Sequence, residues 1–415
     1  MTTSTLDPAR TVAELKELRA LTGDEDGAQR VAWTDTWAKA RAWFRQKLDA
    51  LPVTVETDPA GNLWATLPGA SRRTVIIGGH IDSVPNGGWL DGCLNVLAGL
   101  EVLRRIAAGG TPPVTVRLVD WADEEGARFG RSLFGSSAFS GTMDPEELLE
   151  LRDRTGLSLP EAVAAHGVDL HRALEARRQQ ADAAAYLELH IEQGPVLESM
   201  GLPMGVVLGT FGVERHRITW RGQAAHSGST PMDKRRDALA GAAKLALHIR
   251  EIARQTGDGA VCTSGGVVCK PGIVTSVVET AEQLLDQRHL DGAKLGAMLQ
   301  TATDASARFA AEEGIGVEWE RIWRIDPIHF HPELIELADQ AVREVCGTSH
   351  RLPSGPLHDA AEVARAGIPT VMLFVQSLRG ISHNKIEDTL EEHLRLSVQA
   401  LDRLADKTIA WVARS

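Results

Sequence analysis

Along this chain, short apolar runs rich in β-branched residues alternate with longer stretches of helical periodicity. That alternation confines the fold to a layered α/β sheet. Thr74-Val75-Ile76-Ile77 reads as a buried strand ending at Gly78-Gly79. Val114 to Val119 reads as a second, running into acids after Trp121, and Ile368 to Val375 as a third. Leu94 to Ala107 and Leu390 to Val412 carry the helical period. A middle segment differs. Val213 to Arg221 alternates as a half-buried strand, Met232 to Ala253 is Ala-rich and helical, Gly265 to Val278 reads as strand, and Leu295 to Glu313 as helix. The expectation is a self-contained α+β domain, residues 212–327, inserted into a larger domain formed by 1–211 and 328–415.

Bulk properties exclude several function classes. The formal net charge of -12 argues against a general nucleic-acid or anionic-membrane binder. The first residues lack an apolar core of signal-peptide length, and no run of about 18 apolar residues follows, so neither secretion nor membrane insertion is expected. Cys93, Cys262, Cys269 and Cys346 form no CxxC pair. Reduced thiols in a cytoplasmic protein are the plain expectation. No GxSxG occurs, which disfavours a serine hydrolase.

The chemistry concentrates where strands should end. In Gly79-His80-Ile81-Asp82, a histidine could offer a neutral imidazole to a metal while Asp82 fixes its tautomer. A satisfied structural pair is the plainer alternative. Asp91, ahead of a helix, could be an N-cap, but a carboxylate can also bridge two cations. Asp123-Glu124-Glu125 places three acids after an apolar strand, where they repel unless cations or protons compensate. Alternation in Glu188-Leu189-His190-Ile191-Glu192 puts Glu188, His190 and Glu192 on one strand face. His383 lies in a glycine-bounded loop. Carboxylates mixed with imidazoles suit Zn, Mn, Co or Ni.

Taken together, GGHIDSVPNGGWLDG, DEEGARFGRSLFGSSAFSG, ELHIEQGPVLE, AAHSGSTPM, LHDAAE and GISHNKIEDT closely resemble the M20-type amidases of the N-carbamoyl-L-amino-acid hydrolase, β-ureidopropionase and allantoate amidohydrolase group. The resemblance runs from Gly23 to Thr389. It implies a dinuclear metallopeptidase-like catalytic domain with an inserted α+β lid and dimerisation domain, and a homodimer. It implies two divalent ions, with Asp91 bridging, His80 and His190 on one, and Glu125 and His383 on the other. It makes Glu124 the general base for a metal-bridging hydroxide that cleaves the carbamoyl C–N bond of a small ureido substrate. His226 would stabilise the tetrahedral oxyanion, Gln193 and His358 would meet substrate, and Arg288 would grip its carboxylate. From the residues alone, Arg288 reads as an ion pair with Asp286.

This sequence departs from the family pattern in places. The substrate-binding asparagine ahead of Arg288 appears as Thr275, Asn95 stands where glycine is common, and Trp89 adds an indole beside Asp91. Two alternatives keep the fold: an M20 deacylase or exopeptidase acting on N-acyl amino acids or peptides, and a non-catalytic binding homologue. FGSSAFSG and EQGPVLE favour the carbamoylase side.

Overall fold

The computed structural model describes residues 5–414. Contacts divide it into two units, one reaching Leu208 and resuming at Phe330, the other Gly209–His329. No helix among the described residues is long and apolar enough to cross a membrane.

The first unit is built on one mixed sheet. Its four central strands lie in the order Thr115–Trp121, Thr74–His80, Ala183–Ile191, Thr370–Val375 and are mutually parallel. Antiparallel strands flank them, Leu63–Leu67 and Thr54–Thr57 on one side, Met204–Thr210 on the other. Every residue of Thr74–His80 and Thr370–Val375 is buried, so both sheet faces are covered. That burial is why these strands read as continuous apolar runs rather than alternating ones. The first strand runs on through both glycines to His80, beyond the expected end. Gly78 allows this, because a Cβ there would overlap the Tyr186 ring. Helices Cys93–Ala108 and Glu391–Arg414 pack on the sheet and on each other. In an open parallel sheet the carboxyl ends of the strands form the usual crevice for ligands. Here those ends lead into His80, Asp123-Glu124-Glu125, Gln193 and the Ser377–His383 loop.

The second unit has a four-stranded antiparallel sheet in the order Val261–Lys270, Thr280–His289, Gly212–Arg221, Gly316–Ile325. Helices Ala238–Thr256 and Gly292–Glu313 cover one face, burying Ile218, Trp220, Ala281 and Leu285 against Leu245, Ile249, Met298 and Ala302. The structure corrects two expectations. The helix expected from Met232 begins at Ala238, where Asp237 caps it by accepting from Leu239 N–H. The strand expected over Gly265–Val278 stops at Lys270. Pro271 has no N–H to continue the ladder, and Gly272 turns the chain at φ 61. The chain then returns as Thr280–His289, which carries Arg288.

Candidate metal centre

Five side chains, two from the ends of strands and three from loops, converge at the carboxyl end of the first unit's sheet. His80, Asp91 and His190 offer donor atoms all within 4.8 Å of one another, and Asp91, Glu125 and His383 form a second such group. The two oxygens of Asp91 divide between them. Oδ1 lies 3.1 Å from His190 Nε2 and 3.9 Å from His80 Nε2. Oδ2 lies 3.4 Å from His383 Nε2, which is 3.3 Å from Glu125 Oε2. Asp91 is not an N-cap: Gly92 holds that position, with no side-chain cap, and the helix starts at Cys93. Gly92 has φ 65, and a Cβ there would collide with the His80 ring.

The backbone around these groups is bent with purpose. Asp123, Gln193 and His383 are non-glycine residues at φ 57, 57 and 54. Such left-handed geometry persists where surrounding contacts over-determine it. Asp82 pins the two residues that follow Asp123, and the His80 ring beside them. Its carboxylate accepts from Glu124 N–H at 3.2 Å and Glu125 N–H at 3.1 Å, and lies 3.4 Å from His80 Nδ1. The three consecutive acids thus divide. Asp123 accepts from Trp33 Nε1 at 2.7 Å and Gly126 N–H at 3.1 Å, Glu125 faces His383, and Glu124 Oε2 lies 3.9 Å from His80 Nε2.

The electrostatics suit a cation. Burial first, then the Asp91 charge, pushes Glu125 up to about 8. Burial and then Asp82 push Asp123 up to about 8 as well. Burial raises Glu124 well above the carboxylate range, with Asp359 and Glu125 adding to it and His80 opposing. Burial opposes charge on His80, yet Glu124, Asp82 and Asp91 lift it well above the histidine range. The surrounding carboxylates favour the protonated form of these histidines, and a divalent cation competes for the same lone pairs. His80 Nε2 and Glu125 Oε1 are buried without a hydrogen-bond partner among the described residues. The second nitrogens of His80 and His190 are already engaged, by Asp82 O at 3.1 Å and Ile191 O at 2.8 Å. Donor type, orphaned atoms and fixed tautomers all fit a pair of divalent ions.

Other residues named from sequence fall in three places. Gln193 stands in the cluster, donating to Asp91 Oδ2 at 2.9 Å. His358 is buried with its ring centroid 4.4 Å from that of His190. Burial and then His190 hold it well below the usual range, so it is a neutral imidazole at pH 7. Glu188 and Glu192 do not join the donor groups. The strand ends at Ile191, and the Glu192 carboxylate instead accepts from Val196 and Leu197 N–H. Glu188 accepts from Tyr186 Oη at 2.7 Å and Ala360 N–H at 2.9 Å.

His226, Thr275 and Arg288 belong to the second unit. There His226 forms a bridge with Ser276, and Ser227 N–H donates to Thr275 O at 3.0 Å, so His226 and Thr275 lie on paired segments. Both are exposed. Arg288 Nε meets Asp286 Oδ1 at 2.7 Å, the ion pair that the residues alone suggested.

The departures find places too. Asn95 is buried and accepts from Leu189 N–H at 3.0 Å, fixing the strand that carries His190. Trp89 packs beneath the Arg19 guanidinium at 5.6 Å. Reasoning from sequence gave no role to Ser382 and Glu387, although both lie in GISHNKIEDT. Ser382 Oγ is 3.0 Å from Asp91 Oδ2 and 2.8 Å from Glu387 Oε2.

Comparison with known proteins adds four findings. The profile described as Peptidase family M20/M25/M40 matches residues 76–407. The chain is 36% identical over 380 residues to an N-carbamoyl-L-amino acid amidohydrolase of Geobacillus stearothermophilus, covering 90% of this chain and 92% of that one. It is 32% identical over 388 residues to an allantoate amidohydrolase of Escherichia coli strain K12, covering 93% of each. Among solved structures, a hydantoinase/carbamoylase family amidase from Burkholderia multivorans superimposes with a TM-score of 0.87 at 31% identity, over 99% of this chain and 98% of that one.

Proposed function

This chain belongs to peptidase family M20/M25/M40, a metal-dependent family, and we propose that it removes the carbamoyl group from N-carbamoyl amino acids or a related ureido acid. It is a hydrolase of amide C–N bonds, as its amidohydrolase relatives are named. The observation that carries the finer reading is the division of Asp91, one oxygen toward His80 and His190 and the other toward His383 and Glu125. We assign His80, Asp91 and His190 to one divalent ion and Asp91, Glu125 and His383 to the other, each Zn, Mn, Co or Ni. Such ions lower the pKa of bound water and polarise a carbonyl.

The residues then have distinct tasks. Glu124 belongs to neither donor group, and its oxygen lies beside His80. It takes a proton from the attacking water and delivers it to the leaving nitrogen. The water oxygen bonds to the ureido carbon, the bond to the amino nitrogen breaks, and the carbamate released decomposes to ammonia and carbon dioxide. His226 stabilises the oxyanion, while Arg288 holds the substrate carboxylate through its planar fork. Gln193, His358 and Thr275 complete recognition. We assign residues 212–327 the role of lid and homodimer surface, and place the enzyme in the cytoplasm.

The test uses ion-reconstituted enzyme with N-carbamoyl-α-amino acids, N-carbamoyl-β-alanine, allantoate, and N-acetyl and N-formyl amino acids. Ammonia release from a ureido substrate, abolished by chelation and restored by one of the four metals, is expected. Turnover of N-acyl substrates alone, or full activity in protein shown metal-free by elemental analysis, overturns the proposal.

A further inference from the structure

We infer that Glu387 is a positioning residue that ties the Asp91 turn to the His383 loop and so sets the spacing of the second ion site. The inference rests on the dinuclear reading above. Glu387 is 2% exposed. Its Oε1 accepts from Leu90 N–H and Asp91 N–H, each at 3.1 Å, and its Oε2 accepts from Ser382 Oγ at 2.8 Å. Its partners among these contacts are donors on both loops and include no cation. A buried carboxylate without a cation is costly unless hydrogen bonds compensate it. Here that compensation comes from the backbone of a proposed bridging ligand and from the residue before a proposed terminal ligand.

Glu387 is not itself a ligand, since both oxygens turn toward these donors and neither donor group includes it. Its effect passes through two routes. One is the Asp91 backbone, which fixes where the Asp91 carboxylate starts. The other is Ser382, whose hydroxyl lies between the carboxylates of Glu387 and Asp91 and also receives Gln193 Nε2 at 3.1 Å. A hydroxyl has one proton, so Ser382 serves the two carboxylates in turn. On the same loop, Glu387 N–H donates to Asn384 O at 2.9 Å, closing the turn that begins at Asn384, directly after His383. His383 itself is half exposed and left-handed at φ 54. Gly88 completes the fit: a Cβ there would overlap the Glu387 carboxylate.

The experiment titrates Mn or Zn into the metal-free full chain by calorimetry and records circular dichroism. Wild type is compared with Glu387→Ala, Glu387→Gln, Gly88→Ala and Ser382→Ala. Wild type is expected to take two ions. Glu387→Ala and Gly88→Ala should weaken the second ion by about 10- to 100-fold, the scale of lost outer partners, with less change in the first. Glu387→Gln keeps an acceptor for the two N–H groups and should fall between. Folded variants that bind both ions as wild type does overturn the inference. If Glu387→Ala does not fold, Gly88→Ala and Ser382→Ala decide it by the same criterion. Wild type that takes up no ion overturns the dinuclear reading instead, and this inference falls with it.

Discussion

His80 and His190 are 1% and 2% exposed, end parallel strands, and have their second ring nitrogens held by backbone carbonyls. His226 is exposed, and its Nδ1 accepts a local bond from Gly228 N–H at 3.1 Å. The same side chain is thus used in two ways. The buried pair is ordered when the protein folds, at the expense of desolvated carboxylates around it. The exposed one, in the function proposed above, would be ordered by what binds. Groups ordered in advance lower the reorganisation needed at the moment of reaction, whereas groups ordered by substrate draw on binding energy.

The sharpest way to break this contrast is at Glu124. Glu124→Gln should cut kcat by about 10²- to 10⁴-fold, the range for a lost general base, while ion stoichiometry by elemental analysis stays at the wild-type value. Near-normal kcat would mean that the buried set holds its base elsewhere, and lost ions would make Glu124 a ligand.

His226 tests the exposed side. His226→Ala should lower kcat by about 10²- to 10³-fold and change KM little, as a transition-state contact does. Mixing His226→Ala subunits with Glu124→Gln subunits then asks which chain supplies the imidazole. Activity recovered in a confirmed mixed dimer places it across the dimer, and none places it in the same chain. Unchanged kcat in the single variant would reduce His226 to a turn residue.

The smallest effect is expected at Asp153, which should touch stability alone. Its carboxylate accepts from Thr155 Oγ1 at 2.6 Å, Thr155 N–H at 2.8 Å and Arg128 Nε at 3.0 Å. The Thr155 hydroxyl leads these in holding Asp153 at about 2, below its ordinary 3.8. A carboxylate lowered on folding contributes stability above its unfolded pKa and loses it as pH falls through the folded value. Asp153→Asn should therefore lower the urea midpoint at pH 7 by a small amount. The gap to wild type should close between about pH 4 and pH 2, with ion binding unchanged. A gap that persists at pH 2 would show that charge is not what Asp153 contributes.

Legibility differed between regions for the same physical reasons. Thr74–His80 and Cys93–Ala108 stood out because burial on both faces, or helical period, is written in consecutive residues. Thr280–His289 did not, because its inward side chains include buried Gln283 and Gln287, whose polarity hides a period of two. Gly316–Ile325 did not either, since most of it is exposed. Glu192 was misplaced by extending strand alternation one residue past Ile191.

By itself the sequence determined the alternating α/β pattern, the order of the acidic and histidine segments, and the identity of the side chains that can hold cations. Those depend on local period and residue chemistry. Only the tertiary structure decided that Asp91 is no helix cap, that Asp123 turns to Trp33 while Glu125 turns to His383, and that Glu387 braces Asp91. The last two of those choices are made by partners distant in the chain, 297 residues away for the Glu387–Leu90 bond. A carboxylate's task follows from which donors surround it once the loops have met, and local sequence carries no record of that.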